Sequence, residues 1–234
     1  MNKRILGLVC LASLGLVGPA SAAQFSVEIT NLTHGNYYTP LLVAAHPEGT
    51  SLFTSGQPAS AELQAMAEGG DIAGLEATLT SLGATMVSNP AAGLLAAGAS
   101  TTANLDTDGT ANVRLSVVAM LLPTNDAFVG LNAVLIPTAP GTYVFDVPAY
   151  DAGTEANDEI INGGGMPSVP GIPADPTGVG ATGGTGAAAA DLNPNVHIHR
   201  NILGDTDVNA GISDLDSRVH RWLNPVARIV VTVQ

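Results

Sequence analysis

The chain is poor in cations, in cysteine and in long apolar runs. Its 234 residues include 7 Lys and Arg against 20 Asp and Glu, a formal net charge of −13. A surface so short of cations cannot neutralise many phosphates, which argues against nucleic acid and anionic lipid as partners unless a metal ion bridges them. The composition favours metal cations instead.

The single cysteine, Cys10, lies in an apolar run near the start of the chain. Two basic residues precede the run, and Ala20-Ser21-Ala22 follows it, a pattern typical of an export signal with its cleavage site. We therefore expect residues 1–22 to be removed and the protein to be periplasmic or secreted. Residues 23–234 contain no cysteine, so no disulfide could brace them and a packed core must do so. No later stretch reaches roughly 18 uninterrupted apolar residues, and we expect no stable insertion into a membrane.

Apolar and polar residues alternate at the start of the exported part. Phe25, Val27 and Ile29 share one face there, which predicts a half-buried strand. The apolar spacing between about residues 59 and 82 is helical and is interrupted by Gly69-Gly70, with Asp71 as the cap of a second helix, which predicts two short helices. Further strands are predicted at 41–45, 113–122, 128–135, 142–147 and 227–233.

These strands predict an all-β fold, an antiparallel β-sandwich with one or two short helices inserted, in a single domain over residues 23–234. The tight-turn sequence Asp106-Thr107-Asp108-Gly109 is expected to join 103–105 and 113–122 as a hairpin. Residues 163–195 are rich in Gly, Ala and Pro, so they should form a long flexible loop that buries little.

Three stretches of the sequence resemble the N-terminal domain family of spondins. Residues 120–130, Met-Leu-Leu-Pro-Thr-Asn-Asp-Ala-Phe-Val-Gly, are similar to a family segment in which a hydrophobic strand enters Pro-x-x-Asp and then aromatic-Val-Gly. Residues 151–155, Asp-Ala-Gly-Thr-Glu, are similar to the family's Asp-Ala-Gly-Thr followed by an acid. The closing Pro225-Val226-Ala227-Arg228-Ile229 also fits the family.

The resemblance implies a β-sandwich related to calcium-dependent membrane-targeting modules, with calcium held by acids in loops at one end. It also implies adhesion roles of the kind that animal members have in the extracellular matrix. Ala127 departs from the pattern, because animal members have tryptophan there, and the family's cysteines are missing. These departures leave the partner open: an extracellular or envelope protein or a glycan, bound by a monomer or a weakly self-associating protein.

The candidate metal ligands are Asp126, Asp151 and Glu155. Calcium takes six to eight oxygen ligands, and a turn at Gly153 could bring Asp151 and Glu155 onto one ion. The resemblance implies that Asp126 joins them from a neighbouring strand. Without a cation, three clustered carboxylates would repel one another and their pKa values would rise. The alternative is that Asp126 caps a turn and the other two are solvated acids. Two weaker candidate ligands are Asn125 and Asp158.

Two other patterns carry metal-binding residue types. His197-Ile198-His199 places two imidazoles on one face of an extended segment, and His220 could join them to bind zinc or copper, although ordinary polar histidines at a loop edge are the alternative. The start of an EF-hand is imitated by residues 106–109, but the glutamate that would close such a loop is absent, so we expect only a turn. Trp222 is expected to pack in the core.

Enzymatic signals are sparse. The sequence contains no Gly-x-Ser-x-Gly and no phosphate-binding glycine loop with lysine. Ser60 or Ser116 with His46 and an acid could be combined into a triad, but a triad is defined by geometry and such residues recur by chance. We expect an exported calcium-binding recognition module without catalytic activity. The alternatives are a metal-dependent hydrolase of an exported polymer, using the histidine pair, and a structural component of the surface or matrix.

Overall fold

The computed structural model describes residues 24–167, 169–181, 183–209 and 211–234. The predicted signal segment, residues 1–22, lies outside the described residues. The elements follow in the order β1 (Gln24–Asn31), β2 (Tyr37–Tyr38), β3 (Leu42–Pro47), α1 (Ala61–Gly69), α2 (Ala73–Ser81), β4 (Thr85–Ser88), β5 (Ser100–Asp106), β6 (Asn112–Leu122), β7 (Ala127–Leu135), β8 (Gly141–Val147), β9 (Ala149–Asp151), β10 (His197–Ile198) and β11 (Ala227–Val233). No helix among these residues is long and apolar enough to cross a membrane.

The strands form two antiparallel sheets, which confirms the predicted β-sandwich. The smaller sheet has the order β5-β1-β11-β8. The larger sheet has the order β10-β9-β7-β6-β3-β4, and β2 also pairs with β6. The main core cluster combines side chains of both sheets, among them Val27 and Ile29 of β1 and Val117 of β6. The alternation predicted for β1 is confirmed, since its apolar side chains are buried in that core.

The second face of the larger sheet is covered by the two helices. Leu63 and Met66 of α1 and Leu79 of α2 pack with Val118 and Met120 of β6 in a separate buried cluster. Strand β6 is therefore buried on both faces, which explains its almost uninterrupted apolar run. Each large apolar side chain buried in this way contributes about 1.5–3 kcal/mol relative to an exposed one.

Local signals set the ends of the two helices. The Ser60 side chain accepts a hydrogen bond from the Leu63 N–H at 3.1 Å, which caps the start of α1. Gly70 ends α1 in the left-handed conformation, with φ of 73°. The predicted capping role of Asp71 is displaced by one residue: its carboxylate accepts the N–H of Ala73 at 2.9 Å, but the residue at the cap position is Ile72.

The predicted hairpin at residues 106–109 is wrong. Strand β5 pairs with β1 in the smaller sheet, and β6 pairs with β3 and β7 in the larger one. The turn between them carries the chain from one sheet to the other. A turn sequence fixes a local reversal of the backbone. The pairing of strands depends instead on which neighbours allow each strand to bury its apolar face.

The segment between β9 and β10 has no helix or strand among its described residues, as predicted for a long loop. It is nevertheless held by backbone hydrogen bonds, such as those of Ile172 to Ile160 and of Ala181 to Asp214. Ile172 is fully buried in the main core. The expectation that this stretch buries little is therefore wrong for Ile172, because an isolated apolar residue in a Gly-rich loop can still reach the core.

Candidate metal site

The three predicted acids lie together at one end of the larger sheet. Asp126 directly precedes β7, and Asp151 ends β9. Ala127 of β7 is paired with Asp151 of β9, so Asp126 lies one residue from the partner of Asp151, and the charge of Asp151 acts on the Asp126 carboxyl. Glu155 follows in the loop after β9. Asp126, Asp151 and Glu155 are all buried, with 0%, 2% and 8% of their surfaces exposed.

Asp126 is the most enclosed of the three. Its Oδ2 atom accepts hydrogen bonds from the N–H of Thr154 at 2.9 Å and the N–H of Glu155 at 3.2 Å, and the Thr154 hydroxyl lies at 3.3 Å. Its Oδ1 atom is buried and has no hydrogen-bond partner. Burial, followed by the charge of Asp151, raises the pKa of Asp126 well above its usual range. An ionised carboxylate at this position therefore lacks compensation on one oxygen.

Asp151 holds the turn that follows β9. Its Oδ1 atom accepts the N–H of Gly153 at 2.8 Å, and its Oδ2 atom accepts the side-chain amide of Asn157 at 2.8 Å. Gly153 has φ of 71°, and a Cβ atom at this position would lie 2.7 Å from the carbonyl oxygen of Asn193. The predicted turn at Gly153 is present, and glycine is needed there for both reasons.

Glu155 is positioned by groups from two other segments. Its Oε2 atom accepts the side-chain amide of Asn125 at 3.0 Å, and its Oε1 atom accepts the N–H of Gly171 at 3.1 Å. Burial raises the pKa of Glu155 to about 7, although these two hydrogen bonds act in the opposite direction and lower it. Asn125 also donates to Asp158 at 2.8 Å, so the two weaker candidates lie at the same end of the sheet. The Asn125 Oδ1 atom is engaged by the Glu159 N–H at 3.1 Å.

Glu68 is a further acid of this cluster that the sequence reasoning missed. It lies at the end of α1 with 1% of its surface exposed; Oε1 accepts the Gln64 amide at 2.8 Å, and Oε2 is buried without a partner. Burial raises the pKa of Glu68, and its charge contributes to the raised pKa of Glu155. One signal was present: an acid in the last turn of a helix opposes the helix dipole.

The donor set is compatible with a hard cation, although the ligands are not gathered around one point. Among the described residues, no group of three or more His, Cys, Asp or Glu side chains has an arrangement that could hold a metal ion. Five of the six carboxylate oxygens of Asp126, Asp151 and Glu155 accept the hydrogen bonds given above. The four oxygens of Asp151 and Glu155 accept one hydrogen bond each and keep a second lone pair. Asp126 Oδ2 already accepts two N–H groups, whereas the Asp126 Oδ1 atom has both lone pairs free.

Two of the three predicted histidines adjoin the cluster. The Nε2 atoms of His197 and His199 each lie 3.7 Å from Asp151 Oδ2. His199 Nδ1 accepts the N–H of Asn201 at 2.9 Å, so its proton is on Nε2, which faces Asn157 Oδ1 at 3.2 Å. His199 is buried, which lowers its pKa to about 4. A metal bound at its Nε2 atom would require the opposite tautomer.

His220 makes its contacts elsewhere. It is buried beside Asp175, its Nε2 atom lies 3.0 Å from the Thr177 hydroxyl, and its Nδ1 atom accepts the Asp216 N–H at 3.1 Å. The structure therefore does not bring His220 to the pair, and the three-histidine group that the sequence left open is not formed.

The imagined serine triads do not form. Ser60 caps α1. His46 Nε2 does lie 2.8 Å from Ser116 Oγ, but both residues are fully buried and no acid orients the ring, since Nδ1 faces the Pro47 carbonyl at 3.2 Å. A nucleophile must be reachable by its substrate, which Ser116 is not.

Two other expectations are confirmed. Residues 106–109 form a turn, in which Asp106 Oδ1 accepts the Asp108 N–H at 2.9 Å. Trp222 is packed in the core beside the ring of His199, with ring centroids 5.2 Å apart.

Comparison with known protein families gives a match. The family model described as Spondin_N matches residues 21–160, more than half of the chain. The matched range includes Asp126, Asp151, Glu155 and Glu68 and ends before the histidine pair. No curated protein matches the chain.

Proposed function

The chain belongs to the spondin N-terminal domain family, and from that premise we propose that it is an exported calcium-binding recognition module without catalytic activity. Calcium binding would draw together the carboxylates of Asp126, Asp151 and Glu155, which are not gathered around one point without it, and these three acids would then hold the ion. The loops that carry these residues then contact an extracellular or envelope partner, a protein or a glycan.

The observation that carries the proposal is the uncompensated carboxylate of Asp126 among other buried acids. Its Oδ1 atom has no hydrogen-bond donor, and Glu68 Oε2 is in the same situation. Burying several carboxylates together is costly unless they are protonated or paired with a cation. An exported protein with a formal net charge of −13 has few cations of its own to offer. A divalent ion would supply the missing charge.

The chemistry of the ligands favours calcium over transition metals. The acids offer only oxygen donors, which hard cations prefer, and they come from loops, which suits calcium's flexible coordination of six to eight oxygens. When bound, calcium would neutralise the acids and so allow a carboxylate-bearing ligand to approach. Asn125 orients Glu155 and Asp158, and Glu68 adds negative charge from the helix side of the site.

Calorimetric titration of the purified protein with calcium tests the proposal. We expect stoichiometric binding by the wild type and loss of binding in the double variant Asp151→Ala with Glu155→Ala. The matched control is Glu28→Ala with Asp108→Ala, which removes two exposed acids and makes the same change in charge. Absence of binding by the wild type, or equal affinity in the two double variants, would remove the site.

A metal-dependent hydrolase is the second candidate, because His197 and His199 both approach Asp151. The hydrogen bond that His199 Nδ1 accepts from Asn201 disfavours it. Metal analysis of the protein after purification distinguishes the two functions: one zinc ion per chain supports the hydrolase, whereas the calcium module carries none. Calcium-dependent self-association in solution scattering would instead support a structural role at the surface or in the matrix.

A further inference from the structure

A cavity of about 550 Å³ lies beside the histidine pair, and most of its lining residues follow the matched family range in the chain. Its walls include alanines at 187, 188 and 190, the apolar side chains of Leu192 and Leu203, and the side chains of Arg200 and Arg221. A neighbouring cavity of about 490 Å³ shares Arg221 with the first. Volumes of roughly 300–1,000 Å³ are typical of sites for small molecules.

The arginines of this cavity differ from the others in the described chain. Three arginines form ion pairs: Arg114 with Glu48 at 2.6 Å, Arg218 with Asp216 at 2.6 Å and Arg228 with Asp146 at 2.8 Å. Among the residues that the structure describes, the guanidinium groups of Arg200 and Arg221 form neither an ion pair nor a hydrogen bond. Both arginines are exposed, so in a chain with 20 acids and 7 basic residues these two unpaired cations are available to a negatively charged ligand.

The acids that line the same cavity bind backbone and amide N–H groups and form no ion pair with the two arginines. Glu159 accepts hydrogen bonds from the N–H groups of Leu203 and Gly204 at 2.6 and 2.9 Å. Asp151 is bonded to Gly153 and Asn157, as described above. Asp191 Oδ1 accepts the N–H of Asn193 at 2.9 Å, and its Oδ2 atom is buried without a hydrogen-bond partner. These carboxylates therefore stabilise the cavity wall and do not pair with the two arginines.

The segments that carry the two arginines are held side by side. The side-chain amide of Asn201 donates to the carbonyl oxygen of Trp222, so the residues next to Arg200 and Arg221 are joined directly. Asn201 has φ of 82°, a left-handed conformation that asparagine tolerates better than most residues. Trp222 is anchored in the core against His199. The backbone beneath both guanidinium groups is thus fixed before a ligand arrives, which lowers the entropic cost of binding.

Exposed leucines surround the arginines. Leu192 and Leu203 line the larger cavity with 94% and 60% of their surfaces exposed, and Leu223 lines the neighbouring one with 88% exposed. We propose that the larger cavity binds a small amphipathic carboxylate, with its anionic head on Arg200 and Arg221 and its apolar chain against these leucines. Guanidinium groups bind carboxylates through paired hydrogen bonds, and the leucines lose their exposed surface to the chain.

Decanoate, kept below the concentration at which it forms micelles, is the probe. Trp222 is the chain's single tryptophan; it lines the neighbouring cavity and packs against His199, which lines the larger one, so its fluorescence is the readout. We expect saturable binding of decanoate, no binding of acetate, and at least a tenfold weaker affinity in Arg200→Gln with Arg221→Gln, the size of effect that a lost charge-assisted hydrogen bond produces. The matched control is Arg114→Gln with Arg228→Gln, which should bind within about twofold of wild type because both arginines lie elsewhere and are already paired.

The titrations are run in chelator and repeated with Asp126→Asn, so that the result does not depend on calcium binding. Unchanged affinity in both arms separates this site from the proposed metal site. The inference is overturned if decanoate fails to saturate the signal or if the two arginine double variants bind equally. Binding to vesicles of anionic lipid without binding to free decanoate would also overturn it, since the occupant would then be a membrane surface.

Discussion

Replacing Glu155 by glutamine should change how the stability of the calcium-free protein depends on pH. Burial raises the pKa of the Glu155 carboxyl from its ordinary value of 4.5 to about 7. Each pH unit of that difference corresponds to about 1.4 kcal/mol, so ionising Glu155 costs the folded state on the order of 3 kcal/mol. The sign follows from proton binding: the folded state holds the proton more tightly than the unfolded chain. The contribution of Glu155 is therefore complete below pH 4.5 and is lost as the pH rises through about 7.

The pH dependence of the wild-type unfolding free energy is not sufficient alone, because the titration of His199 changes stability in the opposite direction to that of Glu155. Burial lowers the pKa of His199 to about 4, so its contribution is present above pH 6.5 and is lost as the pH falls towards 4. Subtracting the profile of the Glu155→Gln variant removes the part that belongs to His199. Replacing the carboxylate also changes its hydrogen bonds to Asn125 and Gly171. This cost does not depend on pH, so it shifts the difference in unfolding free energy between the two proteins by a constant and leaves its slope with pH unchanged.

The assay is urea denaturation followed by circular dichroism at pH 5, 6, 7 and 8 in chelator. Relative to Glu155→Gln, the wild type should lose about 3 kcal/mol of unfolding free energy across this range, with most of the loss complete near pH 8. Saturating calcium should abolish the tilt, because the ion binds only the ionised acids. A difference that is constant with pH in chelator would refute the assignment of Glu155 as a buried acid held in an unfavourable ionised state. Glu28→Gln, on an exposed position of β1, is the control and should show no tilt.

Two further variants test the fold and the turn at the site. Ile29→Ala removes a fully buried side chain and should lower the unfolding free energy by about 2–5 kcal/mol. Glu28→Ala, on the exposed face of the same strand, should change it by less than about 0.5 kcal/mol. Equal losses in urea denaturation would contradict the assignment of buried and exposed faces in β1. Gly153→Ala and Gly109→Ala both place alanine in a left-handed conformation, at φ of 71° and 69°, but only the former brings Cβ within 2.7 Å of the Asn193 carbonyl. Gly153→Ala should therefore be more destabilising than Gly109→Ala by roughly 1–3 kcal/mol and should also weaken calcium binding in calorimetry. Equal effects of the two variants would show that the turn at Gly153 tolerates a side chain.

The strands could be predicted because their signal is local. Phe25, Val27 and Ile29 alternate with polar residues, and β11 ends in a run of β-branched residues, so both elements are specified by their own sequence. The pairing of strands is not local. Leu105 of β5 lies opposite Phe25 of β1, a partner 80 positions earlier in the chain, and nothing in the turn at residues 106–109 encodes that choice.

The candidate site divides in the same way. Asp151 and Glu155 are four residues apart around a glycine, so their proximity could be inferred from spacing. Asp126 joins them only through the pairing of β7 with β9, which the family resemblance supplied and the residues alone did not. Glu68 arrives from a helix that covers the sheet, where an acid is ordinarily solvated. Whether His220 meets the other two histidines could not be predicted, because an extended segment places only its own alternate residues on one face.

The central pair of the smaller sheet joins strands from opposite ends of the described chain, with Phe25 facing Val233. Strand β8 has no neighbour in that sheet other than β11. A chain in which residues 227–233 have not yet docked therefore has two open strand edges and an uncovered apolar face, the condition in which proteins associate wrongly. Docking of β11 between β1 and β8 closes both edges at once and so decides when the sandwich becomes safe from aggregation.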